Sequence, residues 1–339
     1  MSDQRTHALA PWIQTQVRTL LAQRGHAWLL HGPSGLGQYP LALAMASAWL
    51  CEHPNQQGAC GECSSCHAIR VRTHADLCML MPETTMMELG WPLSEKAQVE
   101  IDDKKRKASK EIRVDAMRDA VEFTQRTSAR GRGKVVVVFP AENMNAITAN
   151  ALLKTLEEPS GEVRFVLASE SAHQLLPTIR SRCLGHTMLW PSVEEGMHWL
   201  QDQGVDANSA KLLLQATGGR PAEALNFAQT DRDPSAWAAF PKAMFDGNFS
   251  AVKDWTASQL LDALLKLCHD LMATQHGARP RFFEQKDLDS VRSSIWELSN
   301  WSKALSMAMK TMEHPFNQGL MTEALVGQAH SALNSQHKP

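Results

Sequence analysis

Cys51, Cys60, Cys63 and Cys66 are spaced C-x8-C-x2-C-x2-C. Four thiolates close a tetrahedral cage around one metal ion, and the two x2 steps return successive sulfurs to the same ion. Such a cage has no open position for water, so its role is structural, with one zinc ion per chain as the expected occupant. Four thiolates also suit iron. Four free thiols in a loop rich in Gly58, Gly61 and Ser64 are the plainer alternative. His53 and His67 stand close by and read as surface or helix residues, not ligands. Cys78, Cys183 and Cys268 are isolated, and each reads as a small core side chain.

A second constellation is His31-Gly32-Pro33-Ser34-Gly35-Leu36-Gly37, in which Gly32 and Gly37 have the G-x-x-x-x-G spacing of a phosphate-binding loop. Glycines there let backbone N–H groups converge on phosphate oxygens at a helix N-terminus. A working loop continues with Lys, whose ammonium reaches the outer phosphates, and then with Ser or Thr, whose hydroxyl holds magnesium. This chain has Gln38 and Tyr39 at those positions. The run Val135 to Val138 reads as the strand whose end should carry acids for metal and water, yet it continues Phe139-Pro140-Ala141-Glu142. An aromatic ring and a proline do neither job. Hydrolysis at this loop lacks its ammonium, its magnesium hydroxyl and its acids together, and ATP binding is expected to be weak or absent.

The elements that position these residues follow from periodicity. Trp12, Ile13, Val17, Leu20 and Leu21 fit an amphipathic helix, with Gly25 where a C-terminal cap belongs. A strand, Ala27 to Leu30, precedes the glycine loop, and an apolar helix, Tyr39 to Leu50, follows it. Ala116, Met117, Ala120, Val121 and Thr124 mark another helix face, and the run Val135 to Phe139 suits a strand covered on both sides. Helix Thr148 to Glu157 and strand Val163 to Ala168 repeat the alternation, which implies a parallel sheet. After Trp190 the character changes: Ser192-Val193-Glu194-Glu195 reads as a capping box, and no strand is expected beyond it.

A chain of 339 residues, 43% hydrophobic and 21% charged, is long enough for two or three domains. A net charge of -2 argues against coating nucleic acid by bulk electrostatics. With no spanning run and no apolar signal core in Met1 to Pro11, a cytoplasmic protein with reduced thiols is expected. Glu95 to Lys110, with Asp102-Asp103-Lys104-Lys105-Arg106-Lys107, reads as a solvated mixed-charge loop, a DNA contact being the alternative.

The string Asn150-Ala151-Leu152-Leu153-Lys154-Thr155-Leu156-Glu157-Glu158-Pro159, followed after a strand by Ser181-Arg182-Cys183, resembles bacterial clamp-loader subunits of the AAA+ family, and the cysteine spacing is theirs too. The resemblance covers roughly residues 10 to 230, and Gln38 in place of Lys points to the delta-prime branch and away from the gamma or tau ATPases. It implies that Arg182 is an arginine finger, inserted into the ATP site of an adjacent subunit. A guanidinium meeting developing phosphoryl charge is worth on the order of a thousandfold in rate. Gly218-Gly219-Arg220-Pro221 resembles the family's sensor 2 segment, where Arg220 either faces nucleotide phosphate or starts a helix. The family also implies a pentamer with delta and three gamma or tau copies, which loads the beta sliding clamp onto primed DNA. The expected architecture is an α/β AAA+ domain over 1–190, carrying the zinc module at 51–66 and a charged insertion at 84–112. A helical lid over 191–231 and an all-α collar domain over 232–339 follow. Two rival readings remain: an active gamma-type ATPase, and a zinc-dependent DNA-binding module, for which only Arg70 and Arg72 lie close to the cysteines.

Overall fold

Four consecutive valines can bury every side chain only where both faces of a strand are covered. Lys134–Val138 is such a strand, with all five residues buried. Strands β1 (Ala27–His31), β2 (Leu77–Leu80), β3 (Lys134–Val138), β4 (Val163–Ser169) and β5 (Leu184–Thr187) form one parallel sheet in the order β2-β3-β4-β1-β5. The computed structural model describes residues 9–229, 234–289, 293–311 and 318–335. The chain divides into two compact units, Met1–Pro191 and Ser192–Pro339, and the expected boundary at 231–232 lies outside the described residues.

In the first unit, Ala27, Leu29, Val136, Val138, Phe165 and Leu167 of the sheet share one buried cluster with Met117 and Ala120 of the helix Val114–Gln125. Leu152 and Leu156 of the helix Ala146–Glu157 complete it. Side chains alternate across a strand, so the other set needs its own cover. The helix Gln38–Leu50, apolar nearly all round, packs on β3, on β4 and on the helix Pro11–Leu21. The first helix ends at Leu21 with Ala22 as its C-cap, so Gly25 is not its cap. Gly25 is small for a different reason: a Cβ there would run into Leu184 of β5 and lie 3.3 Å from the Trp28 ring.

The charged stretch expected as a solvated loop is partly ordered. It carries the helix Glu95–Asp102 behind a shorter one, Glu83–Glu88. Glu83 is buried and accepts from Arg106 Nη1 at 2.5 Å and Nη2 at 2.7 Å and from the Ser109 N–H at 2.8 Å. Arg106 also donates from Nε to Glu100 at 2.7 Å. The Arg106 guanidinium holds the Glu83 carboxyl below the usual range against the opposing effect of burial. Asp102 to Lys105 remain exposed.

The second unit contains no strand among the described residues. Ser192 and Glu195 close the expected capping box on the helix Val193–Asp202. Leu200, Ala210, Leu213, Leu214 and Ala224 form one small buried cluster. A larger one is built on Trp237, Phe240, Leu264, Phe283 and Leu305, with Trp237 stacked on Phe283 at 4.7 Å. Asp270 is fully buried and accepts three backbone N–H groups, from Arg281 at 2.9 Å, Phe282 at 2.6 Å and Phe283 at 2.9 Å. No described helix is long and apolar enough to cross a membrane.

Candidate functional site

β1 delivers the chain into the glycine loop, and Gly37, at φ 95°, turns it into the helix Gln38–Leu50. A Cβ on Gly37 would lie 2.7 Å from Ile13 Cδ1, and one on Gly32 would lie 2.9 Å from Met188 Cβ, so a side chain at either position would force a neighbour to move, with backbone strain added at Gly37. Gly35, at φ 80°, supplies the remaining left-handed turn. Trp12 Nε1 donates to the Leu36 carbonyl at 3.1 Å, which fastens the first helix across the loop. Gln38, buried to 2% exposure, turns its amide inward and donates to the carbonyls of Gly32 and Pro33, both at 2.7 Å. Where a lysine would extend toward phosphate, this side chain ties the loop to itself.

The next position is filled as firmly. The Tyr39 ring lies 5.4 Å from the Phe139 ring, and its hydroxyl accepts from Trp91 Nε1 at 2.7 Å. Burial raises the Tyr39 pKa, so the phenol stays neutral. Arg72 stacks over Trp91 at 5.5 Å. The two residues read separately from the sequence as losses thus touch: an aromatic pair, braced by a tryptophan of the insertion, stands where a hydroxyl and an acid would hold magnesium. Glu142, the acid next along the chain, receives the Glu170 N–H at 2.9 Å on one oxygen. Sequence reasoning missed Trp91, whose only signal was a large aromatic beside a charged stretch.

Arg182 follows the short helix Pro177–Arg180, which Ile179 anchors by full burial. Its Nε donates to Glu157 Oε1 at 2.5 Å, its Nη2 pairs with the same carboxylate oxygen, and its Nη1 donates to the Thr178 carbonyl at 2.9 Å. Arg220 belongs to the second unit, where it directly precedes the helix Pro221–Ala228 and donates from Nε to the Thr217 carbonyl at 2.8 Å.

The four cysteines converge. Their sulfurs lie within 4.8 Å of one another, with separations of 3.8 Å for Cys51 and Cys63, 3.9 Å for Cys60 and Cys66, and 3.7 Å for Cys51 and Cys66. A tetrahedron with metal–sulfur bonds of about 2.3 Å has edges of about 3.8 Å, so the set fits a single ion. A multi-iron cluster puts sulfide between its thiolates and spreads them further. Burial raises the Cys63 thiol, but the N–H of Cys66 and other donors bring it down to about 6, whereas burial leaves the thiols of Cys51 and Cys66 raised. His53 and His67 are exposed, and the four sulfurs complete the set without them. The lobe is fastened to the sheet domain through Glu52, which accepts from Ser64 Oγ at 2.6 Å and Arg130 Nη1 at 3.2 Å. Asp76, at 1% exposure, accepts the N–H groups of Ala129 at 2.7 Å and Arg130 at 2.9 Å. The other three thiols are inert: burial pushes Cys78, Cys183 and Cys268 each up to about 12.

Residues 13–188, more than half of the chain, match the family model described as DNA polymerase III, delta subunit. A DNA polymerase III subunit delta' of Pseudomonas aeruginosa is 40% identical over 215 residues, which span 62% of this chain and 58% of that relative. The Escherichia coli subunit delta' is 31% identical over 275 residues, 75% of each chain. That of Bacillus subtilis is 28% identical over 319 residues, 87% of this chain and 88% of the relative. The Escherichia coli subunit tau is 30% identical over 59% of this chain, but only 28% of its own length is matched. A Thermotoga maritima structure described as a DNA polymerase III gamma subunit-related protein aligns over 95% of this chain and all of its own, at 17% identity and a TM-score of 0.47. That structural likeness adds nothing to what the sequence relatives establish. A family match over more than half the chain and a named relative aligned over three quarters of both lengths have one consequence: the chain belongs to the delta-prime subunit family of the DNA polymerase III clamp loader.

Proposed function

We propose that this chain is the non-hydrolysing member of a clamp-loader complex and that it serves a neighbour's ATP site in place of its own. The observation that carries the reading is the filled loop: the Gln38 amide is bonded to the carbonyls of Gly32 and Pro33, and Tyr39 packs on Phe139. Phosphoryl transfer needs an ammonium on the outer phosphates and a held magnesium ion, and Gln38, Tyr39 and Phe139 provide neither.

In this reading Gly32, Gly35 and Gly37 keep the shape of a nucleotide loop as scaffold, and Arg220 acts as a helix-start residue. Arg182 is the catalytic group in trans, completing the ATP site of a gamma or tau subunit. The partners are delta, gamma or tau, the sliding clamp and primed DNA, engaged through the assembled complex in the cytoplasm. Residues 191–231 form the lid domain and 232–339 the collar domain. Cys51, Cys60, Cys63 and Cys66 hold one zinc ion, which supplies shape and no reaction step, because four thiolates leave no ligand position open.

The test is turnover by the isolated protein. Purified chain incubated with magnesium and ATP is expected to show no hydrolysis above background. A rate in the range of ordinary motor ATPases would overturn the assignment and restore the gamma-type reading.

A further inference from the structure

Arg182 lies on a half-exposed surface, yet its guanidinium is held from two sides. An arginine carries five N–H donors. The bonds from Nε and Nη2 to Glu157 and from Nη1 to Thr178 engage three of them. The two that remain are one N–H on each terminal nitrogen. Each terminal nitrogen thus keeps one donor for a phosphate oxygen. Glu157 ends the helix Ala146–Glu157, whose start is capped by Asn145 through the N–H groups of Ile147 and Thr148. The adjoining Leu156 is buried to 1% exposure, so the acceptor stands beside a packed anchor.

We infer that Glu157 is a positioning residue for Arg182: it fixes the plane of the guanidinium so that its remaining donors are presented to the phosphate of a neighbouring subunit. This rests on the trans role proposed for Arg182. Stability does not explain the pair, since contacts this exposed contribute little to folding. Its effect belongs to orientation, because an arginine without anchors samples many rotamers and must be ordered each time it meets phosphate. The contact requires an oxygen acceptor at the Oε1 position more than it requires a charge, so a glutamine keeps it and an alanine removes it.

The experiment uses the complex reconstituted with delta and gamma or tau, with ATP, sliding clamp and primed DNA supplied. Glu157→Ala is expected to lower kcat for ATP hydrolysis at the served site by about 2- to 10-fold, the cost of ordering one long side chain. KM for ATP should be unchanged, and Glu157→Gln should retain at least half of the wild-type rate. With Arg182→Ala as background, Glu157→Ala should have no further effect, since the two act as one unit. A Glu157→Ala rate at or above wild type, or an equal fractional loss in the Arg182→Ala background, overturns the inference. If Arg182→Ala itself leaves the rate untouched, the trans role fails and this inference falls with it, an outcome distinct from the previous two.

Discussion

Replacing Gln38 should destabilise the glycine loop in an order set by hydrogen-bond donors, not by size. The side chain is buried to 2% exposure and gives both amide hydrogens to loop carbonyls at 2.7 Å. Gln38→Ala leaves the Gly32 and Pro33 carbonyls without that donor, at about 1–3 kcal/mol for each group fully shielded from water. Water reaches part of the loop, so the expected cost is about 2–4 kcal/mol. Gln38→Lys keeps a donor for both carbonyls but buries an ammonium, which places it between wild type and alanine. Gln38→Glu sets a carboxylate against two carbonyl oxygens and should be the worst of the three. The assay is hydrogen exchange read by mass spectrometry on peptides from Trp28 to Leu50. Protection there should fall roughly 30- to 1000-fold in Gln38→Ala. If protection in the alanine variant stays within about twofold of wild type, or if glutamate is tolerated as well as lysine, the amide does not tie the loop.

Metal analysis should find about one zinc per chain, and Cys66→Ser or a strong chelator should release it and expose Cys51 to Arg70 to proteolysis. No zinc, or full protection after its removal, contradicts the structural role. The Arg106–Glu83 pair should hold the insertion in a pH-dependent way. Because the folded Glu83 pKa is depressed, its contribution is complete above the ordinary Glu value of about 4.3 and lost as pH falls through the folded value. Protease sensitivity of residues 84–112 should rise on acidification below that range, and Glu83→Gln should remove the dependence. Asp270→Ala strands three backbone N–H groups at a fully buried site and should cost about 3 kcal/mol or more in the second unit. Asp270→Asn keeps one acceptor oxygen and should cost less; equal losses would mean the carboxylate oxygens are not what holds the loop at 281–283.

What the sequence made legible was local. The branched run Val135 to Val138, the glycine spacing of the loop and the Ser192 to Glu195 cap each declare themselves within a few residues, and the structure has all of them. The cysteine spacing is equally local, since all four sulfurs come from the single stretch Cys51 to Cys66. β2 and β5 were not legible. Leu77–Leu80 is four residues of apolar run with no alternation, and Leu184-Gly185-His186-Thr187 is an exposed edge whose strand character comes from pairing with β1. Gly25 misled for a related reason: glycine marks a cap and a close approach alike, and only the neighbouring Trp28 and Leu184 decide which.

At the loop, the missing lysine and acids could be read directly, because they are absences at fixed positions. What replaced them could not. Trp91 reaches Tyr39 across 52 positions, and Glu157 reaches Arg182 across 25. No periodicity encodes contacts of that separation. The insertion illustrates the same point from the other side. Its charges read as a solvated loop, but Glu83 and Arg106, 23 positions apart, neutralise each other and close it.

The central claim is that the reactive group of this chain is Arg182, acting on a neighbour's nucleotide. Its most direct test is single-turnover ATP hydrolysis by the reconstituted complex, comparing wild type with Arg182→Ala. With assembly and zinc content unchanged, hydrolysis at the one site this chain serves should fall on the order of a thousandfold. Turnover at that site equal to wild type would contradict it.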